Sequence, residues 1–94
     1  MSFEDLASAT TPPAGLGPAL QALWHDARGD WERAHTLAQE DHGRHGAWVH
    51  AYLHRKEGDD SNAGYWYARA GQPAASGDLD AEREAIARAL LAGK

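Results

Sequence analysis

Histidine is the residue type whose number and spacing suggest chemistry in this sequence, with six among 94 residues. His50 and His54 stand four residues apart, so a helix would place both imidazoles on one side, where they could share a metal ion. His42 and His45 lie just upstream and could complete the coordination of that ion. The alternative is that all four side chains are solvated, and Ala51 after His50 excludes the H-E-x-x-H signature.

The other polar residues form no recognisable catalytic arrangement. His25 and Asp26 are adjacent, and adjacent side chains on a helix point roughly 100° apart, so they face each other poorly. The serines stand at helix ends or in loops, and the chain has no cysteine to act as a nucleophile or thiolate ligand. We therefore expect neither a hydrolase triad nor a bound cofactor. If the protein has an enzyme activity, the histidines are the residues expected to carry it.

Aromatic residues indicate a binding surface more strongly than the histidines do. Tyr65, Trp66 and Tyr67 are consecutive in a predicted helix, so they project in three directions and at least one should reach the surface or a groove. Such a groove would suit a peptide or an anionic small ligand. The predicted partner-binding residues are Trp48, Tyr52, Arg55, Tyr65, Trp66 and Arg69.

Two alternatives to an open groove remain for these aromatic side chains. All of them could pack inside the protein, between the helices or beneath the N-terminal segment. The aromatic side chains that the helices cannot bury could instead lie at a symmetric dimer interface, where tryptophan and tyrosine are enriched.

The formal net charge is −5 and is distributed without a block of either sign. Because there is no basic stripe, neither nucleic acid nor an anionic membrane surface is an expected partner. No apolar run approaches the roughly 20 residues needed to cross a bilayer, and no secretory signal opens the chain. We therefore expect a cytoplasmic protein that does not contact a membrane.

The elements that would position these residues are all helices, because alanine and leucine dominate while β-branched residues are scarce. Residues 1–15 are expected to form a flexible N-terminal arm with one short capped helical turn, and residues 16–94 a single helical domain. About five helices are predicted in that domain. They begin near Pro18, after Asp30, near Ala47, after Asp59 or Asp60, and after Asp78 or Asp80.

The sequence also aligns with itself at an offset of 29 residues. Residues 25–34 then match residues 54–63 at a histidine, a glycine, an aspartate and an alanine. Each unit is predicted to be a helix, a Gly-Asp turn and a second helix, with the glycine ending the first helix and the aspartate capping the next. Such a unit cannot bury its apolar face alone, so stacking of the two hairpins is expected.

Two stretches of these units resemble a known repeat class. Gly29-Asp30-Trp31-x-x-Ala34 and its counterpart from Gly58 resemble the inter-helix turn of tetratricopeptide-type repeats, and residues 62–71 are similar to the Sel-one-like variant. The likeness covers residues 17–73, with a shorter offset than the roughly 34 residues of those repeats. Residues 48–59 also resemble part of an uncharacterised family of small proteins, which implies no activity.

The resemblance implies two stacked hairpins with the last helix as a cap, serving as a scaffold for protein binding. We therefore expect a non-catalytic protein-interaction module that presents an aromatic helical surface to a peptide, to a partner protein or to a second copy of itself. The competing hypothesis is a small histidine-based metal-binding protein or enzyme. The sequence names neither the partner nor the ligand.

Overall fold

The computed structural model describes residues 1–93, and within that range the chain is helical with no strand. The predicted all-α class is therefore confirmed, with six helices where about five were expected in addition to a short first turn. None of the helices in the described range is long and apolar enough to span a bilayer. The helices are α1 (Phe3–Ser8), α2 (Pro18–Ala27), α3 (Trp31–Glu40), α4 (Arg44–Lys56), α5 (Asp60–Ala70) and α6 (Leu79–Leu91).

The turns of the α2–α3 and α4–α5 hairpins have the same backbone geometry. Gly29 and Gly58 adopt φ angles of +84° and +90°, which residues with a β-carbon rarely adopt. The N–H groups of Asp30 and Asp59 each donate to the carbonyl five residues earlier, at 3.0 and 2.9 Å, as in a Schellman motif. Each aspartate side chain also accepts from the N–H three residues further on, which caps the next helix.

Helix α4 lies at the centre of the fold, in contact with α2, α3, α5 and α6. Helix α6 packs against α1, α2 and α4, so it covers the first helices of both hairpins. Apolar side chains from these helices form the main core, and a smaller group lies between α4 and α5. The largest fully buried apolar side chains are Tyr52, Leu23, Leu53, Ile86 and Val49.

A buried carboxylate connects three of these helices. The Asp26 side chain on α2 is fully buried, accepts a hydrogen bond of 2.5 Å from the Tyr52 hydroxyl and pairs with Lys56 Nζ at 2.9 Å, both from α4. Arg83 of α6 approaches the same carboxylate at 3.8 Å. The prediction that Tyr52 belongs to a partner-binding surface is therefore wrong, because its hydroxyl is held inside the protein by Asp26.

The N-terminal segment is packed on the domain. The predicted capped turn is present, because Ser2 and Asp5 form a capping box at the start of α1. Leu6 is buried within the main core, and Trp24 Nε1 donates to the carbonyl of Ala9 at 3.3 Å. Leu6 of the predicted N-terminal arm therefore belongs to the core, because α1 packs against α2 and α6.

Helix α4 begins at Arg44, three residues before its predicted start. The N–H of Gly43 donates to the Asp41 side chain at 2.9 Å, which forms a tight turn before the helix. A β-carbon on Gly46 would lie 2.0 Å from the Asp41 carbonyl oxygen, so only glycine lets this turn pack so closely on α4. His45 therefore belongs to the first turn of α4 instead of a loop.

Candidate functional site

Three histidines from two antiparallel helices converge between α3 and α4. His35 Nε2 and His50 Nε2 are 2.9 Å apart, and a ring nitrogen of His54 completes a group whose ligand atoms all lie within 4.8 Å of one another. We call these three residues the histidine cluster. His50 and His54 meet as their spacing predicted, with stacked rings 4.7 Å apart between centroids.

The third member of the histidine cluster is His35, which the sequence analysis did not single out. A usable signal existed, because His35 and His50 are almost equally distant from His42 in the loop between their helices. Residues at equal distances from a tight helical connection lie opposite each other in an antiparallel pair. The pattern within one helix, on which the prediction rested, contains no such information.

Two tryptophans hold the rings of the cluster in place. Trp31 stacks on His35 with centroids 4.8 Å apart and an interplanar angle of 9°. Trp66 stacks on His50 at 4.0 Å and 21°. Trp31 is itself fixed, because its indole N–H donates to the carbonyl of Leu53 at 2.9 Å. The ring planes are therefore set by packing from α3 and from α5.

Burial keeps part of the histidine cluster neutral. Desolvation, together with the neighbouring His35 and His54, lowers the pKa of His50 to about 4. Desolvation also lowers the pKa of His35, with a smaller contribution from His54. His54 Nδ1 lies 2.6 Å from Glu57 Oε1, and a carboxylate only accepts, so that nitrogen carries a proton. The nitrogen of His54 left for another ligand is Nε2.

The predicted metal ligands therefore separate into two pairs. His50 and His54 belong to the histidine cluster, whereas His42 and His45 do not. His42 is exposed in the loop before α4, and His45 is half-buried in the first turn of that helix. His35 of α3 completes the cluster in place of His42 and His45.

The aromatic residues of α5 form a small surface patch. Tyr65 is 55 % exposed and meets Trp66 edge to face, with centroids 5.2 Å apart. The guanidinium carbon of Arg69 lies 5.3 Å from the Trp66 ring centre and 5.7 Å from that of Tyr65. We call Tyr65, Trp66 and Arg69 the aromatic patch.

A cleft of about 440 Å³ adjoins the aromatic patch, between the start of α4 and α5. The residues that line it include Trp66 and Arg69 of α5, His42 and Arg44 before and at the start of α4, and His50. The cleft therefore joins the aromatic patch to the edge of the histidine cluster. We call it the α4 cleft.

The remaining predicted binding residues lie elsewhere. Trp48 is half-buried and packs against both groups of core side chains. Arg55 pairs with Glu82 of α6 at 2.8 Å, and the same carboxylate accepts from the Tyr67 hydroxyl. Arg55 therefore fastens α6 to α4 and does not border the aromatic patch. Of the six predicted partner-binding residues, the patch and cleft bring together Tyr65, Trp66 and Arg69.

Comparison of the chain with protein-family models, curated proteins and solved structures finds no match.

Proposed function

We propose that this protein is a non-catalytic interaction module that binds an acidic peptide segment along the α4 cleft and the aromatic patch. The observation that carries this proposal is the position of Arg69, whose guanidinium lies over the rings of both Tyr65 and Trp66 and which also lines the cleft. This arrangement offers an apolar surface and a positive charge to the same ligand.

The exposure of Tyr65 supports a binding role for the patch. Among residues 1–93, Tyr65 and Met1 are the exposed large apolar side chains, and of these Tyr65 lies beside the cleft. Helix α5 packs mainly against α4, and the exposed Tyr65 side chain contributes little to that packing. Tyrosine, tryptophan and arginine are also the residues that contribute most at protein interfaces.

The charges around the cleft favour a ligand with carboxylates. Arg44 and Arg69 both line it, and neither forms a salt bridge within the described part of the chain. The Asp41 carboxylate in the same lining already accepts the Gly43 N–H. Helix α4 also starts there without a side-chain cap, so its positive dipole end adds to the two arginines.

Helix α6 packs against the first helices of both hairpins, α2 and α4. Helix α5, which lines the α4 cleft together with the start of α4, does not contact α6 helix to helix, so we propose this side as the partner-binding surface. A symmetric dimer through Tyr65 and Trp66 is the competing arrangement, and sedimentation at micromolar concentration distinguishes the two.

The test uses an acetylated and amidated peptide of alternating glutamate and leucine, titrated into the protein and followed by backbone amide shifts. We expect shifts at Gly43, Arg44 and Arg69 and an affinity about tenfold lower for R69E. The matched control is R33E, which makes the same charge change on the exposed face of α3. Equal binding of the lysine-for-glutamate peptide, or an equal loss in both variants, would show that the cleft does not select acidic segments.

A further inference from the structure

The geometry points to a metal site formed by His35, His50 and His54, which binds one divalent transition-metal ion of the zinc type. This site is separate from peptide binding at the aromatic patch, although the two share the ring of His50. Its ligands come from α3 and α4, so an ion there would join the two hairpins at their contact.

The spacing of the ligand atoms is close to what such an ion requires. Zinc bound by imidazole nitrogens at about 2.0–2.1 Å places neighbouring nitrogens about 3.4 Å apart in a tetrahedron. The His35 and His50 Nε2 atoms are 2.9 Å apart, and the whole group lies within 4.8 Å. The observed spacings therefore differ from the required one by no more than about 1.4 Å.

The donor set selects the class of ion. Three neutral imidazoles with no carboxylate among them suit zinc, copper, nickel or cobalt and do not suit magnesium or calcium, which prefer oxygen. The His35 and His50 Nε2 atoms share one proton across 2.9 Å, so both rings are neutral in this pair and each can offer a lone pair to a metal ion once that proton has moved. Three protein ligands also leave a fourth position for water or another ligand.

The hydrogen bond between His54 and Glu57 supports a metal-ligating role for His54. Its Nδ1 is held by Glu57 at 2.6 Å, which is how metal-ligating histidines are commonly fixed by a carboxylate on the other ring nitrogen. Trp31 and Trp66 hold the other two rings by stacking. On metal binding, the proton shared between His35 and His50 leaves Nε2, and the ring that carried it is protonated at Nδ1 instead.

The experiment uses the full chain without an affinity tag, treated with chelator, dialysed and titrated with ZnCl₂ in a calorimeter. We expect one ion per chain and a rise in melting temperature. Substituting Co²⁺ provides a second readout, since its visible absorption distinguishes a tetrahedral nitrogen site from an octahedral one. Wild-type protein that binds no stoichiometric metal would overturn the inference.

Variants decide which histidines are the ligands. H35Q is the primary variant because His35 is only half-buried, so its loss threatens the fold less than loss of His50. We expect H35Q to lose at least about tenfold in zinc affinity, and E57Q to lose about tenfold through the orientation of His54. H42Q and H45Q are the controls, and they should bind as wild type does.

Circular dichroism and melting of each metal-free variant show whether it is folded. Zinc binding that survives in folded H35Q but disappears in H42Q or H45Q would place the metal at the loop and overturn the assignment. R69E, which tests peptide binding, should bind zinc like wild type. Failure of either property therefore leaves the other measurable.

Discussion

The Nε2 atoms of His35 and His50 lie 2.9 Å apart across the contact between α3 and α4, on helices that the chain joins through a loop of three residues. Two neutral imidazoles share this contact through one proton, but two imidazolium ions would repel each other there. The pair is therefore sensitive to acid.

Acidification should destabilise the protein as the pH falls from about 6.5 to about 4. The pKa of His50 is about 4 in the folded protein and close to 6.5 in the unfolded chain, so the unfolded chain takes up protons first. The contribution of His50 to the free energy of unfolding is therefore complete above pH 6.5 and should decrease by about 2–3 kcal/mol towards pH 4. Urea unfolding at several pH values measures this, and folded H50Q should show a flatter dependence.

Replacing the buried carboxylate of Asp26 should be among the most harmful substitutions. D26A removes the acceptor of the Tyr52 hydroxyl and the partner of Lys56, which leaves a buried hydroxyl unpaired. We expect a loss of about 3–5 kcal/mol in the free energy of unfolding. Y52F is the companion variant and should cost about 1–2 kcal/mol. A D26A protein as stable as Y52F would show that the Lys56 contact contributes nothing.

Two glycine-to-alanine variants should have opposite effects. In G46A the new β-carbon meets the Asp41 backbone at 2.0 Å, so the turn before α4 must move, at a cost of about 1–3 kcal/mol. In G64A nothing lies within 4 Å of the new β-carbon, which is on the exposed side of α5. Helix propensity therefore predicts a gain of about 0.5–1 kcal/mol in the free energy of unfolding. Thermal melting of the pair measures both changes, and a neutral G46A would contradict the close packing of that turn.

The two hairpin turns should respond alike to the same change. Alanine at position 29 or 58 must adopt a positive φ, which costs roughly 1–2 kcal/mol for a residue with a β-carbon. Neither position has atoms within 4 Å of the new β-carbon, so the cost comes from the backbone alone. We expect G29A and G58A to agree within about 0.5 kcal/mol, and a larger difference would show that the turns are not equivalent.

The elements of this fold were predictable from the sequence because their signals are local. Asp30, Asp59 and Gly29 each act on neighbours within a few residues, and the structure places the caps and the turn where the pattern predicts them. The predicted start of α4 was three residues too late, because a glycine such as Gly46 is typical of a loop before a helix. Its role depends on the close approach of the Asp41 backbone, which no local pattern contains.

The candidate site was only partly predictable, for a related reason. His50 and His54 share one helix, so their meeting follows from helical spacing, whereas His35 arrives from another helix through tertiary packing. Tyr52 appeared available for binding because nothing nearby in sequence satisfies its hydroxyl. Its partner, Asp26, is 26 residues away, and only the packing of α2 on α4 brings them together.

The Asp26 side chain also bears on how cooperatively the protein unfolds. Stacked hairpins that touch only through apolar faces open one after another, starting at an end. Here a single buried carboxylate is held by side chains of α4 and approached by α6, so releasing any of these helices leaves a charge stranded in the core. The chain should therefore unfold in one cooperative step, with the amide hydrogens of both hairpins exchanging at the same rate-limiting opening.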